Sequence, residues 1–167
     1  MINALIPARS GSKRVKNKNI AMVGGHPLIA YSIVACKQTK NIDRVIVSTD
    51  CSEIAKIAKN YGAEVPFLRP EVHAQDNSSD KGFLEHFFKE ISCDKVLLIR
   101  PTSPLRNPRD LFQIVESYKR ELKKNTFTGF RSMTKSNHSP YKMFQIKNGK
   151  CCGFFNDFMG VSEYTNL

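Results

Sequence analysis

A chain of 167 residues, 41% hydrophobic and 25% charged, falls in the range of about 100 to 200 residues expected of one globular domain with a real core. No apolar run is long enough to cross a bilayer, and residues 1–10 lack the cationic start, apolar stretch and small-residue cleavage site of a secretion signal, so a cytoplasmic location is expected. The formal charge of +11 suits a nucleic acid, an anionic membrane or a polyanionic small substrate alike, while five cysteines without a CxxC spacing fit reduced thiols better than a disulfide framework or a zinc site.

Ile2 to Pro7 is a short apolar run that stops at a proline and a Gly/Ser/basic segment, as a buried parallel strand feeding a loop does. Pro27 suits the first turn of a helix carried by Leu28, Ile29, Tyr31, Ser32, Val34 and Ala35 to about Lys37. Arg44 to Thr49 is a β-branched strand. Asp50 or Ser52 suits the cap of the next helix, with Asp50 favoured for that role over substrate or metal binding. Ile54, Ala55, Ile57, Ala58 and Tyr61 recur at helical spacing before Gly62 ends it.

Val65 to Leu68 reads as extended, Phe83 to Ile91 as a helix, and Lys95 to Ile99 as a buried strand closed by Pro101. The grouping of Phe83, Phe87 and Phe88 at helical spacing points to core rather than to a stacking platform. Asn107 and Pro108 make a cap-plus-proline start for a helix through Leu111, Val115 and Leu122, and Thr126 to Arg131 is a predicted strand. Strand and helix alternate, so the expected fold is α/β, a doubly wound and mostly parallel sheet whose ligands bind at the strands' carboxyl ends. The nucleotide-binding domain is expected over residues 1–134. Residues 135–167, where the pattern fades, form a partial segment ending in the apolar stretch Cys151 to Met159.

Directly after the first strand comes Pro7-Ala8-Arg9-Ser10-Gly11-Ser12-Lys13-Arg14-Val15-Lys16-Asn17-Lys18-Asn19, a small-residue turn with five cationic side chains. Gly11 leaves room for backbone N–H groups to approach an anion, Ser10 and Ser12 can donate hydrogen bonds, and Arg9 or Lys18 can neutralise charge on a leaving pyrophosphate. It is neither GxxxxGK[ST] nor GxGxxG, which removes the main support for ATPase and dinucleotide-oxidoreductase readings. The plain alternative is a solvated basic loop. His26, His73, His86 and His138 share no spacing that would mark a metal cluster.

Ile6-Pro7-Ala8-Arg9-x-Gly11-Ser12-Lys13 with Lys18-Asn19 resembles the signature of the acylneuraminate cytidylyltransferases. Val47-Ser48-Thr49-Asp50, Arg69-Pro70 followed by Asp76 to Ser79, and Pro101-Thr102-Ser103-Pro104-Leu105-Arg106 follow in the family's order, so the resemblance runs from Met1 to about Gln145. It implies a Rossmann-like nucleotidyltransferase fold, binding of CTP with Mg²⁺, and attack of a sialic-acid-like, acidic nine-carbon sugar on the α-phosphate with loss of pyrophosphate. Carried over, Arg9 and Lys18 contact the triphosphate in a catalytic role. Ala8, Gly11, Ser12, Asn19, Arg69 and one of Ser78 or Ser79 lie around the nucleotide, and Arg100, Thr102, Ser103 and Lys142 face the sugar.

Arg100 stands where the best-known members carry glutamine, which suits a different sugar. A structural alternative has Pro101 and Pro104 shape a turn while Arg106 pairs with a carboxylate such as Asp110. The resemblance also implies a homodimer. Its members continue through a sugar-holding arginine and a C-terminal pair of Mg²⁺-ligating aspartates, neither of which occurs before Leu167, so no metal ligands are assigned and a partial active site is expected. Three other functions compete: transfer to another acidic sugar such as pseudaminate, legionaminate or 3-deoxy-manno-octulosonate, CTP or CMP binding without turnover, and nucleic-acid binding. The last comes last, because the chain offers no RRM, KH or helix-turn-helix pattern. Neither nucleic acid nor membrane is the expected partner.

Overall fold

The computed structural model describes residues 2–124, 129–132, 144–147 and 150–153. The chain divides into two compact units, Met1–Thr128 and Gly129–Leu167.

In the first unit, β1 (Asn3–Pro7) lies between β4 (Arg44–Ser48) and β5 (Val96–Leu98), parallel to both. Ile6 pairs in register with Val47, and Leu5 with both Ile46 and Leu98. The minor strands β2 (Met22–Val23) and β3 (His26–Pro27) form a separate antiparallel pair. Helix α1 (Leu28–Lys37) follows β3, so Pro27 is its extended N-cap rather than a member of the first turn.

The strand alternation of side chains divides the core as a sheet with two buried faces requires. Ala4, Ile6, Ala8, Val45 and Val47 join Ile29 and Ile33 of α1, Ile54 and Ala58 of α2 (Ser52–Asn60), and Leu111 of α4 (Pro108–Leu122). Leu5 and Ile46 point the other way and pack with Phe83, Phe87 and Ile91 on and just after α3 (Asp80–Glu90). Phe88 is not core, being 43% exposed. Gly62 takes φ 85° just after α2, the left-handed conformation that ends helices, and Asn107 caps α4 by accepting from the Arg109 N–H at 2.9 Å.

The segment predicted over Val65 to Leu68 contributes no full strand. The residue before it, Glu64, touches the outer edge of β4 through an isolated bridge, and Pro66 then removes a ladder donor. The chain therefore steps outward from β1 to β4 and this edge, then returns across β1 to β5. That reversal puts a topological switch point at the carboxyl ends of β1 and β5.

In the second unit, β6 (Phe144–Lys147) and β7 (Lys150–Gly153) pair antiparallel, Lys147 opposite Lys150. The strand predicted over Thr126 to Arg131 falls partly outside the described residues, and 129–131 have no regular structure. Cys151 and Cys152 belong to β7. The remainder of the stretch to Met159 lies outside the described residues.

Candidate active site

The basic segment leaves β1 at the switch point. Ala8 is buried, its N–H donating to the Ser48 carbonyl at 2.9 Å, so the loop departs from a fixed strand end. Asn17 at φ 52° turns the chain into a short 3-10 helix, Lys18–Ile20, that carries the last two residues of the motif. Asn tolerates that left-handed conformation better than most residues. Asn19 is buried and donates to the Arg9 carbonyl at 2.8 Å, bracing the loop from beneath. Lys18 is half-buried and in no ion pair among the described residues, and Ser12 is half-exposed.

Gly11 is exposed and a Cβ there would meet nothing closer than Arg9 Nη1 at 3.9 Å. No clash inside the protein demands glycine, so its use is to leave the outer side of the turn open. Fewer amides face that opening than the sequence suggests. The Ser10 N–H goes to Asp50 Oδ1 at 2.9 Å and the Ser12 N–H to the Ser10 carbonyl at 2.8 Å.

Two carboxylates hold this loop. Asp50 accepts from both the Ser10 N–H and the Ser10 hydroxyl, the latter at 2.6 Å. The cap role expected of it is thus overturned: α2 takes Cys51 as its N-cap, with no side-chain cap bond. Asp76 accepts from Arg9 Nη2 and Lys13 Nζ, each at 2.5 Å, while Arg9 Nη1 donates to the Ala74 carbonyl at 3.2 Å. Lys13 and then Arg9 hold the Asp76 carboxyl below its ordinary range. Asp76 and Lys13 lie in segments that carry the family resemblance, but the resemblance gives neither a role of its own at the site. A further signal was an acidic side chain inside the turn-rich stretch Gln75 to Ser79 of a strongly basic chain.

Arg69 is 5% exposed. Its Nε donates to Ser48 Oγ at 3.0 Å, its Nη2 to the Ser48 carbonyl at 2.5 Å, and its guanidinium lies 4.8 Å from the Phe83 ring centroid. Burial pulls its pKa down to about 10, with Asp50 working against that fall. Ser78 and Ser79 separate clearly. The Ser78 hydroxyl accepts from the Gln75 N–H and donates to the Val72 carbonyl, closing a turn, whereas Ser79 is the exposed N-cap of α3 without a side-chain cap bond.

After β5, Pro101 is buried while Arg100, Thr102 and Ser103 are exposed. Arg100 forms an ion pair with Asp80, the first residue of α3. Arg106 does not pair with Asp110 among the described ion pairs. Its Nη1 donates instead to the Arg100 carbonyl at 3.5 Å, within the same turn. Lys142 and His138 lie outside the described residues. Cys36 is buried, which pushes its thiol up to about 12, and Cys51 and Cys93 are free.

Mg²⁺ at a phosphate is ordinarily held by one or two carboxylates together with the phosphates themselves. The carboxylates at this loop, Asp50 and Asp76, are engaged by protein donors, and no group of three or more His, Cys, Asp and Glu able to hold a metal occurs among the described residues. These residues do not form a ready metal site. Two concavities lie elsewhere: about 520 Å³ along α2 and Val65 to Leu68, and about 560 Å³ beside Ile2, Lys95 and Lys119. The strand-end loop is set apart by its chemistry, with Gly11 and Lys13 exposed. No described helix is long and apolar enough to cross a membrane.

The fold and loop define an α/β protein with a cationic cradle at its switch point. A family model described as cytidylyltransferase matches residues 3–148. The CMP-N,N'-diacetyllegionaminic acid synthase of Legionella pneumophila is 44% identical over 123 residues, 71% of this chain and 53% of that protein. The N-acylneuraminate cytidylyltransferase of Escherichia coli O18:K1:H7 is 41% identical, over 70% of this chain and 28% of that protein. Among solved structures, a CMP:2-keto-3-deoxy-manno-octonic acid synthetase complexed with CTP superposes with a TM-score of 0.64 at 21% identity, covering 72% of this chain and 48% of that one. That likeness confirms the Rossmann-like nucleotidyltransferase fold. The chain belongs to the cytidylyltransferase family, and spans about half or less of the length of these two curated relatives.

Proposed function

We propose that the chain binds CTP and transfers CMP to an acidic nine-carbon sugar of the sialic-acid type, releasing pyrophosphate. The observation that carries this reading is the cationic loop at the carboxyl end of β1, at the switch point of a sheet in a family named for cytidylyl transfer. Relatives of the chain are named for legionaminic, N-acylneuraminic and pseudaminic acids, all of one chemical class.

A sugar oxygen attacks the α-phosphorus, the bond to the bridging oxygen breaks, and that oxygen leaves with the pyrophosphate. Arg9 and Lys18 neutralise the charge that builds on the leaving group, and Gly11 and Ser12 line its approach. Ser79, whose hydroxyl makes no hydrogen bond among the described residues, is the better placed of the serine pair to meet the nucleotide. Asn19 and Arg69 shape the floor on which it rests, since their donors already hold Arg9 and Ser48. Arg100, Thr102 and Ser103 face the sugar from the turn after β5. Mg²⁺, were it required, would be held by the phosphates of the nucleotide rather than by this loop, and would supply positive charge there. A homodimer in the cytoplasm completes the reading.

Titration of the chain with CTP, ATP, GTP and UTP, with and without Mg²⁺, followed by a pyrophosphate-release assay with N-acylneuraminate, legionaminate and pseudaminate, tests it. CTP-selective binding with release by one of these sugars is the expected result. Selective binding without release leaves a nucleotide-binding chain that lacks transfer, and absence of CTP preference overturns the reading.

A further inference from the structure

Asp50 and Asp76 both grip the basic loop, but they take different donors. Asp50 is bound by the Ser10 amide and hydroxyl, neutral groups at the base of the loop. Asp76 is bound by Arg9 and Lys13, two of the five cations that give the segment its attraction for a polyphosphate. One oxygen meets each cation, Oδ1 to Arg9 and Oδ2 to Lys13, so a single carboxylate spans both. A phosphate oxygen pair on a nucleotide presents the same charge and a similar bridging geometry.

We infer that Asp76 is an internal stand-in for phosphate, occupying Arg9 and Lys13 in the free protein and competing with the incoming triphosphate for them. The inference rests on the proposed nucleotide reading of this loop. Its energetics fit a contact made to be exchanged. The side chains of Asp76, Arg9 and Lys13 are 37%, 33% and 81% exposed, and ion pairs so open to water are weak and salt-screened. A polyphosphate carrying several charges wins the exchange, while a weakly charged anion does not.

Displacement has a structural consequence. Asp76 lies between the 3-10 turn Glu71–His73 and Ser79, the N-cap of α3. The same segment is pinned to the loop a second time, through the Ala74 carbonyl that accepts from Arg9 Nη1. When Arg9 swings to phosphate both ties are released together, and residues 74–79, with Ser79 among them, become free to settle against the nucleotide. The contact thereby links capture of the phosphates to positioning of the segment proposed to meet the nucleoside.

The test is the affinity of the full chain for CTP and for inorganic pyrophosphate, measured by calorimetry in the unaltered protein, Asp76→Asn and Asp76→Ala at low salt. Both variants are expected to bind pyrophosphate about three- to tenfold more tightly, the range that removal of two exposed ion pairs allows. The gain should shrink when Lys13→Ala is added, since one of the released cations is then gone. Equal or weaker pyrophosphate binding by both Asp76 variants, with the unaltered chain still selecting CTP, overturns the stand-in and leaves the nucleotide reading intact. Failure of the unaltered chain to bind either ligand removes both.

Discussion

Arg69 and Arg9 both stand at the carboxyl ends of the strands, under opposite conditions. Arg69 is buried, with two of its nitrogens bound to Ser48 and its face on Phe83. Arg9 is a third exposed and holds a carboxylate that is itself open to water. A buried guanidinium must keep its partners, because losing one strands a desolvated charge. An exposed one gives up little when it changes partner. The site therefore has a fixed floor, made of Arg69, Ser48, Asn19 and the Asp50 tie, and a changeable rim made of Arg9, Lys13 and Asp76.

The hardest blow to the floor is Arg69→Met. It removes both bonds to Ser48 and the guanidinium's contact with Phe83, leaving the buried Ser48 hydroxyl without that partner while the carbonyl keeps the Ala8 N–H, and is expected to destabilise the chain by about 2–4 kcal/mol in urea unfolding. A loss under about 1 kcal/mol would place Arg69 with the rim and break the distinction. Asp50→Ala comes next. It strips the Ser10 amide and hydroxyl of their acceptor, at a cost of about 1–2 kcal/mol, and frees the base of the loop. CTP binding should weaken by about fivefold, the opposite sign to Asp76→Asn. Calorimetry on the two variants side by side checks this, and a gain in affinity for Asp50→Ala would show that it too only competes for the loop.

Much of the floor's framework was legible in the sequence because it depends on local signals. The apolar run ending at Pro7, the β-branched run from Arg44, and the Asn107-Pro108 start each specify an element from within a few residues. In the sequence β6 and β7 flank Asn148-Gly149, a pair typical of two-residue hairpin connections.

The partners that define the site are distant in sequence and left no such trace. Asp50 looks like a helix cap by type and position, and its true partner Ser10 lies 40 residues earlier. Asp76 meets Arg9 across 67 residues. Whether an arginine is floor or rim depends on what the fold stacks above it, so Arg69 and Arg9 could not be told apart from their neighbours alone. The resemblance supplied both as ligand contacts, and the geometry divides them.

The smallest effect calibrates the rim. Arg44 and Glu64 form an exposed two-pronged pair remote from the loop, with Nε 3.1 Å and Nη2 2.6 Å from Glu64 Oε2, and with side chains 40% and 48% exposed. The Arg44 hydrogen bonds lower the Glu64 pKa from its ordinary 4.5. A carboxyl depressed in the folded state stabilises at pH above its unfolded value, and that contribution disappears as pH falls through the folded one. Glu64→Gln should therefore cost about 0.5 kcal/mol at pH 7 and progressively less below 4.5, with the two proteins converging in acid. Urea midpoints across that pH range measure the difference. A cost well above 1 kcal/mol at pH 7 would mean that exposed pairs in this protein hold more firmly than exposed pairs usually do. The Asp76 bridge would then resist a nucleotide rather than yield to it.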